Sequence, residues 1–543
     1  MKLIFKKIFV PALSLALIFS CGGCSAGAQG VKTIRKEPGS GSGRYAGKTV
    51  ILHSNDVHGA VEGYAKIAGF KNRIQAEGGT PVLVDAGDFS NGTAYVSVSQ
   101  GENAVQLMNA SGYDIAGVGN HEFDFGFEKL KSNMDQASFT VVCSNLFRDG
   151  KTVFDSEAVV QAGNLKIGFF GLVTPETKTK VMPSAVRNLT FAEKEEMYQT
   201  AQKEVDLLRQ QSDVVICVSH LGTEEESKGN RSTDLIDHVK GIDAVIDAHS
   251  HQVVSENRSG VLLQSAGTGF EKIGAVVIDN KTGEMTGELE EPDQIASDAA
   301  VKAKTDEVIR NVDAALAKTL AKTDFELNGK KEDVRTGETN LGNLAADALK
   351  WKAETEFSLK TDKDHLIGLM AGGGIRSSLK EGEITLKALK DALPYSNKLT
   401  VVYVTGSELL ETLEAAAFRA PELAASFPQV SGLVFEVDTG KPYQPGSKYP
   451  NSDYYAPKTI SRVKISSVNG KPFDEKAVYG IATTDFYASG GDTYGALVKA
   501  FEGKDVQISQ RGMDDAAADY LEKGLNGTMP EEYRTVQHRI TVK

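Results

Sequence analysis

From residue 48 onward, short apolar runs alternate with longer stretches in which apolar residues recur every three or four positions. The runs at 49–54, 81–87, 113–119, 139–145, 165–173, 212–220, 242–250, 261–266 and 273–279 have the length and continuity of buried strands. Between several of them the periodicity predicts helices over 66–76, 103–110, 191–211 and 233–240. Alternation of this kind predicts a layered α/β domain spanning 47–296.

A polar helix rich in Ala, Lys and Asp is predicted over 297–318, just after the acidic segment 288–293, and marks a domain boundary. Beyond it the texture changes. A helix at 338–352, a strand at 366–370, a strand at 399–405, a helix at 406–418 and strands at 432–437, 459–465 and 478–484 predict a second, mixed α+β domain over 319–543. No internal repeat interrupts this order.

The first residues read differently. Lys2, Lys6 and Lys7 supply positive charge, and 8–20 form an apolar core too short for a spanning helix, so 1–20 is expected to be an export signal. Ile18-Phe19-Ser20-Cys21 resembles a bacterial lipobox with Cys21 as the lipidated residue. Cys24 is a second candidate, and an ordinary cleaved secretory signal is the alternative. The Gly- and Ser-rich stretch 21–46 is expected to be a flexible tether. Together these features predict an exported chain, anchored to the membrane through lipid and facing outside the cytoplasm.

A net charge of −13 argues against nonspecific binding of nucleic acid, whose backbone wants a basic surface. It does not exclude a phosphorylated small molecule, because a local cationic pocket overrides the global sign. No obligate protein partner is evident. Cys143 and Cys217 lie inside apolar runs and read as buried thiols, so no disulfide framework is implied despite export.

The chemistry gathers where the strands of the first domain end. These ends carry Asp56 and His58, Asp85 and Asp88, Asn120 and His121, His220, and His249 and His251. The chain has 9 histidines, and most of them fall at these ends, which chance does not explain. His53 lies within a strand and reads as a packed group; His238, His365 and His538 sit in polar contexts. Open α/β sheets build their sites at the carboxyl ends of strands. Asp56, His58, Asp88, Asn120, His220, His249 and His251 are more oxygen and nitrogen donors than one four-coordinate ion needs. Two divalent ions sharing a carboxylate, roughly 3.5–4 Å apart, account for them and suit hydrolysis of a phosphate ester. The donor mix accepts Zn, Mn, Co or Mg. In the second domain, Gly372-Gly373-Gly374-Ile375-Arg376 follows a strand, where close backbone approach and a guanidinium suit an anion. Arg335 is a weaker candidate of the same kind.

The ordered set Ile51-Leu52-His53-Ser54-Asn55-Asp56-Val57-His58-Gly59, Asp85-Ala86-Gly87-Asp88, Gly119-Asn120-His121-Glu122-Phe123-Asp124 and Ala248-His249-Ser250-His251 resembles the calcineurin-like metallophosphatase domain of the 5′-nucleotidase family. The family also contains UDP-sugar hydrolases and cyclic nucleotide phosphodiesterases. The resemblance covers nearly the whole chain after residue 47. It implies a four-layer-type α/β sandwich, followed by a smaller mixed α+β substrate-binding domain and joined to it by the helix at 297–318. It implies one ion held by Asp56, His58, Asp88 and His251 and another held by Asp88, Asn120, His220 and His249. His121 matches the catalytic histidine, with Asp124 orienting it and favouring its protonated form.

For the substrate, the resemblance implies phosphate contacts from Arg335 and Arg376, with Gly374 in the same loop. Leu393-Pro394-Tyr395-Ser396-Asn397 and Phe486-Tyr487-Ala488-Ser489-Gly490-Gly491-Asp492 match segments in which Tyr395 and Phe486 sandwich a nucleobase and Asn397 and Asp492 bond base or ribose. Three positions depart from the pattern. Ala371 replaces an Asn, Tyr395 replaces a Phe, and Asp485 replaces an Asn. The reaction implied is metal-dependent release of phosphate from nucleoside 5′-monophosphates, with UDP-sugar hydrolysis or 2′,3′-cyclic nucleotide phosphodiesterase activity as the alternative. A non-catalytic nucleotide-binding lipoprotein would need a degraded donor set, and all seven donors are present.

Overall fold

The computed structural model describes residues 31–543; the export signal, Cys21 and Cys24 lie outside the described residues. Two β-sheets stack face to face at the centre of the first domain. One has six strands in the order Met285–Glu290, Ile273–Asp279, Lys48–Ser54, Thr80–Asp85, Ile115–Ala116 and Thr140–Val141. The other has seven, in the order Lys32–Lys36, Glu157–Ala162, Leu165–Val173, Val214–His220, Ala244–Ile246, Val261–Ala266 and Val253–Arg258. Ile51, Val82, Val84 and Ile115 of the first sheet meet Ile167, Phe169, Ile216 and Val218 of the second in one buried cluster. Because central strands are apolar on both faces, each sheet needs a helical cover outside. Helices Gly63–Ala76, Glu102–Ser111 and Ala299–Ala315 cover the six-stranded sheet, and Lys194–Leu208 and Ser232–His238 cover the seven-stranded one. The result is the four-layer α/β sandwich.

The middle strands of both sheets run parallel. The expected strand at 139–145 keeps only Thr140–Val141, and two that lead into the site are also much shorter than their apolar runs. The run at 113–119 keeps only Ile115–Ala116 in the ladder, and that at 242–250 only Ala244–Ile246. In each case the chain peels away at the carboxyl end to carry site residues. Gly119 shows why: a Cβ there would lie 2.2 Å from Asp88 Oδ1 and 2.6 Å from the His220 ring.

The expected tether needs correction. From residue 31 onward it belongs to the domain. Lys32–Lys36 pairs in parallel with Glu157–Ala162. The following glycines pack on the end of helix Gly63–Ala76, with Gly39 N–H donating to Gly79 O (3.0 Å) and Gly43 N–H to Glu77 O (3.1 Å). Small residues here allow backbone to lie on backbone, since a Cβ on Gly39 would sit 2.0 Å from Gln75 O. The glycines that read as flexibility are thus close-packing residues.

Helix Ala299–Ala315 starts at Asp298, whose carboxylate accepts the Ala300 and Val301 N–H groups. Its Val301, Val308 and Val312 belong to the core of the first domain, whereas the second core begins at Leu320. That second core surrounds a five-stranded sheet ordered Pro428–Ser431, Leu366–Ala371, Val478–Thr484, Lys398–Thr405 and Val506–Gly512. Helix Asn340–Glu356 packs on it, capped by Thr339, and helix Gly406–Ala416 begins with a Thr405–Glu408 capping box. Cys143 and Cys217 are free and buried, and burial pushes the Cys143 thiol up to about 12.

The packed reading of 31–46 is testable at Tyr45, which is 1% exposed. Tyr45→Ala is expected to lower unfolding stability by about 3 kcal/mol, as for other buried aromatics. Denaturant titration checks this, and an unchanged midpoint would restore the tether.

Candidate metal centre

The strand ends deliver their side chains to one place. Asp56, His58, Asp88 and His251 offer ligand atoms within 4.8 Å of one another, and so do Asp88, His220 and His249. Asp88 belongs to both groups. The backbone is bent hard to achieve this: Asp56, His58, Asp88, His249 and His251 have φ of 47°, 46°, 62°, 76° and 57°. Such left-handed residues cost roughly 1–3 kcal/mol each when they carry a Cβ, and they cluster at functional sites. Surrounding bonds hold them. Asp56 accepts from the His249 N–H at 3.1 and 3.0 Å and from Asn55 Nδ2 at 2.8 Å. The His58 N–H donates to Asp88 O at 3.0 Å.

The rings are oriented for ligation. His58 Nδ1 lies 2.9 Å from Asn91 O and His220 Nδ1 lies 2.8 Å from Ala86 O. A carbonyl only accepts, so each Nδ1 carries the proton and each Nε2 can turn a lone pair inward. Those lone pairs meet other acceptors. His58 Nε2 is 3.1 Å from His251 Nε2 and 3.7 Å from Asp88 Oδ2. His220 Nε2 is 3.2 Å from Asp88 Oδ2, yet outside hydrogen-bond geometry. Both it and Asn120 Oδ1 are buried with no hydrogen-bond partner. Acceptors converging in a buried space require positive charge between them. Protons satisfy this unevenly. Burial drives the His58 imidazole down to about 3, whereas the Asp88 and Asp56 carboxylates outweigh burial at His220 and lift it to about 10. Divalent cations satisfy every donor at once, so the residues fit two ions that share Asp88.

Sequence reasoning missed the groups that hold this arrangement. Glu122 is 1% exposed. Its carboxylate accepts the N–H groups of Asp88 (2.8 Å), Phe89 (2.9 Å), Ser90 (3.0 Å) and Gly119 (2.7 Å). It therefore clamps the loop carrying Asp88 to the loop carrying Asn120. Asn91 is the second. Its amide donates to Asp124 Oδ2 at 2.6 Å, and Asp124 Oδ2 is 2.7 Å from His121 Nδ1. His121 is thus tied through Asp124 and Asn91 to His58. Burial alone would lower the His121 imidazole, but Tyr395, Asp124 and Asp88 carry it well above its ordinary value. Glu176 is the third, with Oε2 3.4 Å from His249 Nε2. The only sequence signal was Glu122, a carboxylate between Gly119 and Phe123 in an otherwise tightly packed turn.

The second domain closes over this centre. The Tyr395 ring stacks on His121 at 5.9 Å and 27°. Tyr395 and Phe486 are not in contact; Phe486 packs on Tyr487 at 5.0 Å and against Gly491. Arg335 and Arg376 are close enough that Arg376, after burial, lowers the Arg335 guanidinium. Lys331 is a third cation here, lowered by burial and then by Arg335, and it was not anticipated. Arg376 and Lys331 both act on His251, so this cationic pocket faces the donor cluster. Arg335 Nε is buried without a partner. A Cβ on Gly374 would meet Met370 Cε at 2.0 Å and Tyr487 Oη at 3.0 Å, so a side chain there would have to displace the Met370 terminus. Asp492 turns toward the first domain, with its N–H donating to Thr179 O at 3.0 Å. Asn397 is half-buried, and its carbonyl accepts the Met513 N–H at 2.8 Å. Asp485, one of the three departures, accepts the Lys398 N–H at 2.8 Å, a bond that an Asn oxygen also makes.

Glu122→Ala would strand four buried N–H groups, each costing about 1–3 kcal/mol. It is expected to lower the melting temperature and to empty the metal centre. Elemental analysis of the purified variant checks this, and full metal content would show that the clamp is dispensable.

Comparison with known proteins follows the same division. Residues 49–253 match the calcineurin-like phosphoesterase family and residues 317–499 match the 5′-nucleotidase C-terminal domain. The chain is 27% identical to the trifunctional nucleotide phosphoesterase protein YfkN of Bacillus subtilis over 84% of its own length, but spans only 33% of that relative. It is 25% identical to a 5′-nucleotidase of Vibrio vulnificus, covering 91% of this chain and 92% of that one. Among solved structures it is similar to a 5′-nucleotidase precursor from Thermus thermophilus, with a TM-score of 0.73, 25% identity, and 91% and 99% of the two chains covered. With both domain matches in order and a two-group donor cluster at the expected strand ends, the chain belongs to the 5′-nucleotidase family of calcineurin-like phosphoesterases, a family of metal-dependent hydrolases.

Proposed function

We propose that this chain is an extracytoplasmic phosphohydrolase that releases phosphate from nucleoside 5′-monophosphates. One observation carries the reading: two donor groups sharing Asp88 face a pocket holding Arg335, Arg376 and Lys331 from the other domain. The ions such donors hold supply an activated water and neutralise charge on a phosphoryl group. Asp56, His58, Asp88 and His251 would hold one ion, and Asp88, Asn120, His220 and His249 the other.

The chain's own residues do the rest. Arg335 and Arg376 bind and orient the phosphate, because planar guanidinium groups match its oxygens. His121, kept cationic beside Asp124, stabilises charge building on the phosphoryl or leaving oxygen. Asp124 keeps a proton on His121 Nδ1 by accepting a hydrogen bond from it. Tyr395 and Phe486 flank a base. Asn397 and Asp492 bond base or ribose. A second reading, hydrolysis of UDP-sugars or 2′,3′-cyclic nucleotides by the same centre, gains support from the trifunctional relative in Bacillus subtilis. Lipidation of Cys21 would hold the enzyme at the membrane surface.

A phosphate-release screen over AMP, UDP-glucose and 2′,3′-cyclic AMP, with Mn²⁺, Co²⁺, Zn²⁺ or Mg²⁺ added in turn, tests the assignment. AMP is expected to be the best substrate, with activity abolished by EDTA and restored by one of these ions. His121→Ala is expected to lower kcat by about 10²–10⁴ while metal content stays unchanged. Turnover of AMP by the EDTA-treated enzyme, or an unaffected His121→Ala rate, would refute the mechanism. Cys21→Ser is expected to move the protein from the membrane to the soluble fraction; unchanged partitioning would remove the anchor.

A further inference from the structure

A cluster of charges lies between the domains, outside the donor groups and the cationic pocket. At its centre is Lys180, the last residue of the short helix Thr177–Lys180 in the first domain. Lys180 Nζ donates to Tyr454 Oη at 2.9 Å and lies 3.7 Å from Asp492 Oδ1, both in the second domain. It also lies 3.4 Å from Glu226 Oε1 within its own domain. Glu226 reaches across as well: it accepts from Tyr454 Oη at 2.8 Å and from Arg419 Nη1 at 2.9 Å. The side chains of Lys180 and Asp492 are only 18% and 8% exposed, so their charges are poorly screened. The backbone adds a further tie, from the Asp492 N–H to Thr179 O.

These contacts divide by state. The Lys180–Glu226 pair lies within one domain and needs no closure. Contacts of Lys180 with Asp492 and Tyr454, and of Glu226 with Arg419, exist only when the domains meet. Asp492 ends the segment that begins with Phe486, and on the other side the same helix follows Glu176, which touches His249. Lys180 therefore lies between the base- and ribose-binding segment and the metal centre. Without its ammonium, closure would press two carboxylates, Asp492 and Glu226, into a half-buried space in which Arg419 pairs with Glu226 and Asp492 is left with only the more distant influence of Arg335. Burying a carboxylate that has lost its partner is strongly unfavourable.

We infer that Lys180 is a positioning residue for turnover: its ammonium latches the Phe486–Asp492 segment against the first domain, so that a substrate bound there is presented to His121 and the metal centre. The kinetic consequence rests on the nucleotide reading above; the latch itself does not. A small ester that needs only the metal centre is indifferent to it, whereas a nucleotide held by both domains is not.

The test compares wild type, Lys180→Met and Lys180→Arg in the full chain. Spin labels on cysteines introduced at the exposed Val98 and Ile508, one in each domain, report the distance between them, with Cys21 and Cys24 replaced by Ser and buried Cys143 and Cys217 unlabelled. Lys180→Met is expected to broaden that distance distribution toward longer values. It should lower kcat/KM for AMP about thirtyfold, while bis(p-nitrophenyl) phosphate turnover and metal content stay within about twofold. Lys180→Arg should recover most of both losses. An unchanged distance distribution in Lys180→Met, an equal loss on both substrates, or no recovery with Arg would overturn the proposal. If the wild type does not cleave AMP, the nucleotide reading fails and the distance distribution alone decides the latch.

Discussion

The site rests on a constraint of charge. Asp88, Asp56, Asn120 and four imidazoles converge so that acceptor faces acceptor, with His220 Nε2 3.2 Å from a carboxylate oxygen and His58 Nε2 3.1 Å from another ring nitrogen. Such a cluster is repulsive unless positive charge lies between its members. The chain spends backbone strain to build it, with five left-handed ligand residues and a glycine at 119 that no other residue can replace without meeting Asp88. The Glu122 clamp and the Asn55 and Asn91 amides hold the strained loops in place. The donor cluster is thus built by the first domain alone.

The substrate contacts proposed above belong to the other domain. Arg335, Arg376, Lys331, Tyr395 and Asp492 all come from beyond the helix Ala299–Ala315, and that helix is packed into the first core. The composite site exists only while the domains are in contact. Contacts on both flanks support that closure: Ala94 N–H to Asp391 Oδ1 at 2.7 Å on one side, and the Lys180 cluster on the other, with Tyr395 over His121 between them. Chemistry and recognition are separate in sequence and meet through packing.

Much of this was legible in the chain. Strands whose two faces are both buried, such as Leu165–Val173 and Ile273–Asp279, read directly from their apolar runs. The edge strands did not. Val253–Arg258 is largely exposed and Met285–Glu290 half-buried, and their pairing is set by neighbours rather than by their own composition. The convergence of Asp56, His58, Asp88, His220, His249 and His251 was readable because metal ligation demands particular residue types at strand ends. Glu122 lay inside a legible motif without its role being readable, and Asn91 and Glu176 carried no signal, because a carboxylate or amide that holds a loop or another side chain has no such signature. Glycines 39, 41 and 43 misled, since composition alone cannot separate a glycine that bends freely from one that packs against backbone. Tyr395 read as a base platform by resemblance, and in the closed structure its ring rests on His121.

The sharing of Asp88 is the point on which the centre turns, and metal content of Asp88→Asn measures it directly. If Asp88 bridges two ions, elemental analysis of the purified variant should show both lost together, from about two per chain toward none, with phosphate release falling in step. Retention of one ion at full occupancy would contradict a shared carboxylate and leave the two donor groups as independent sites.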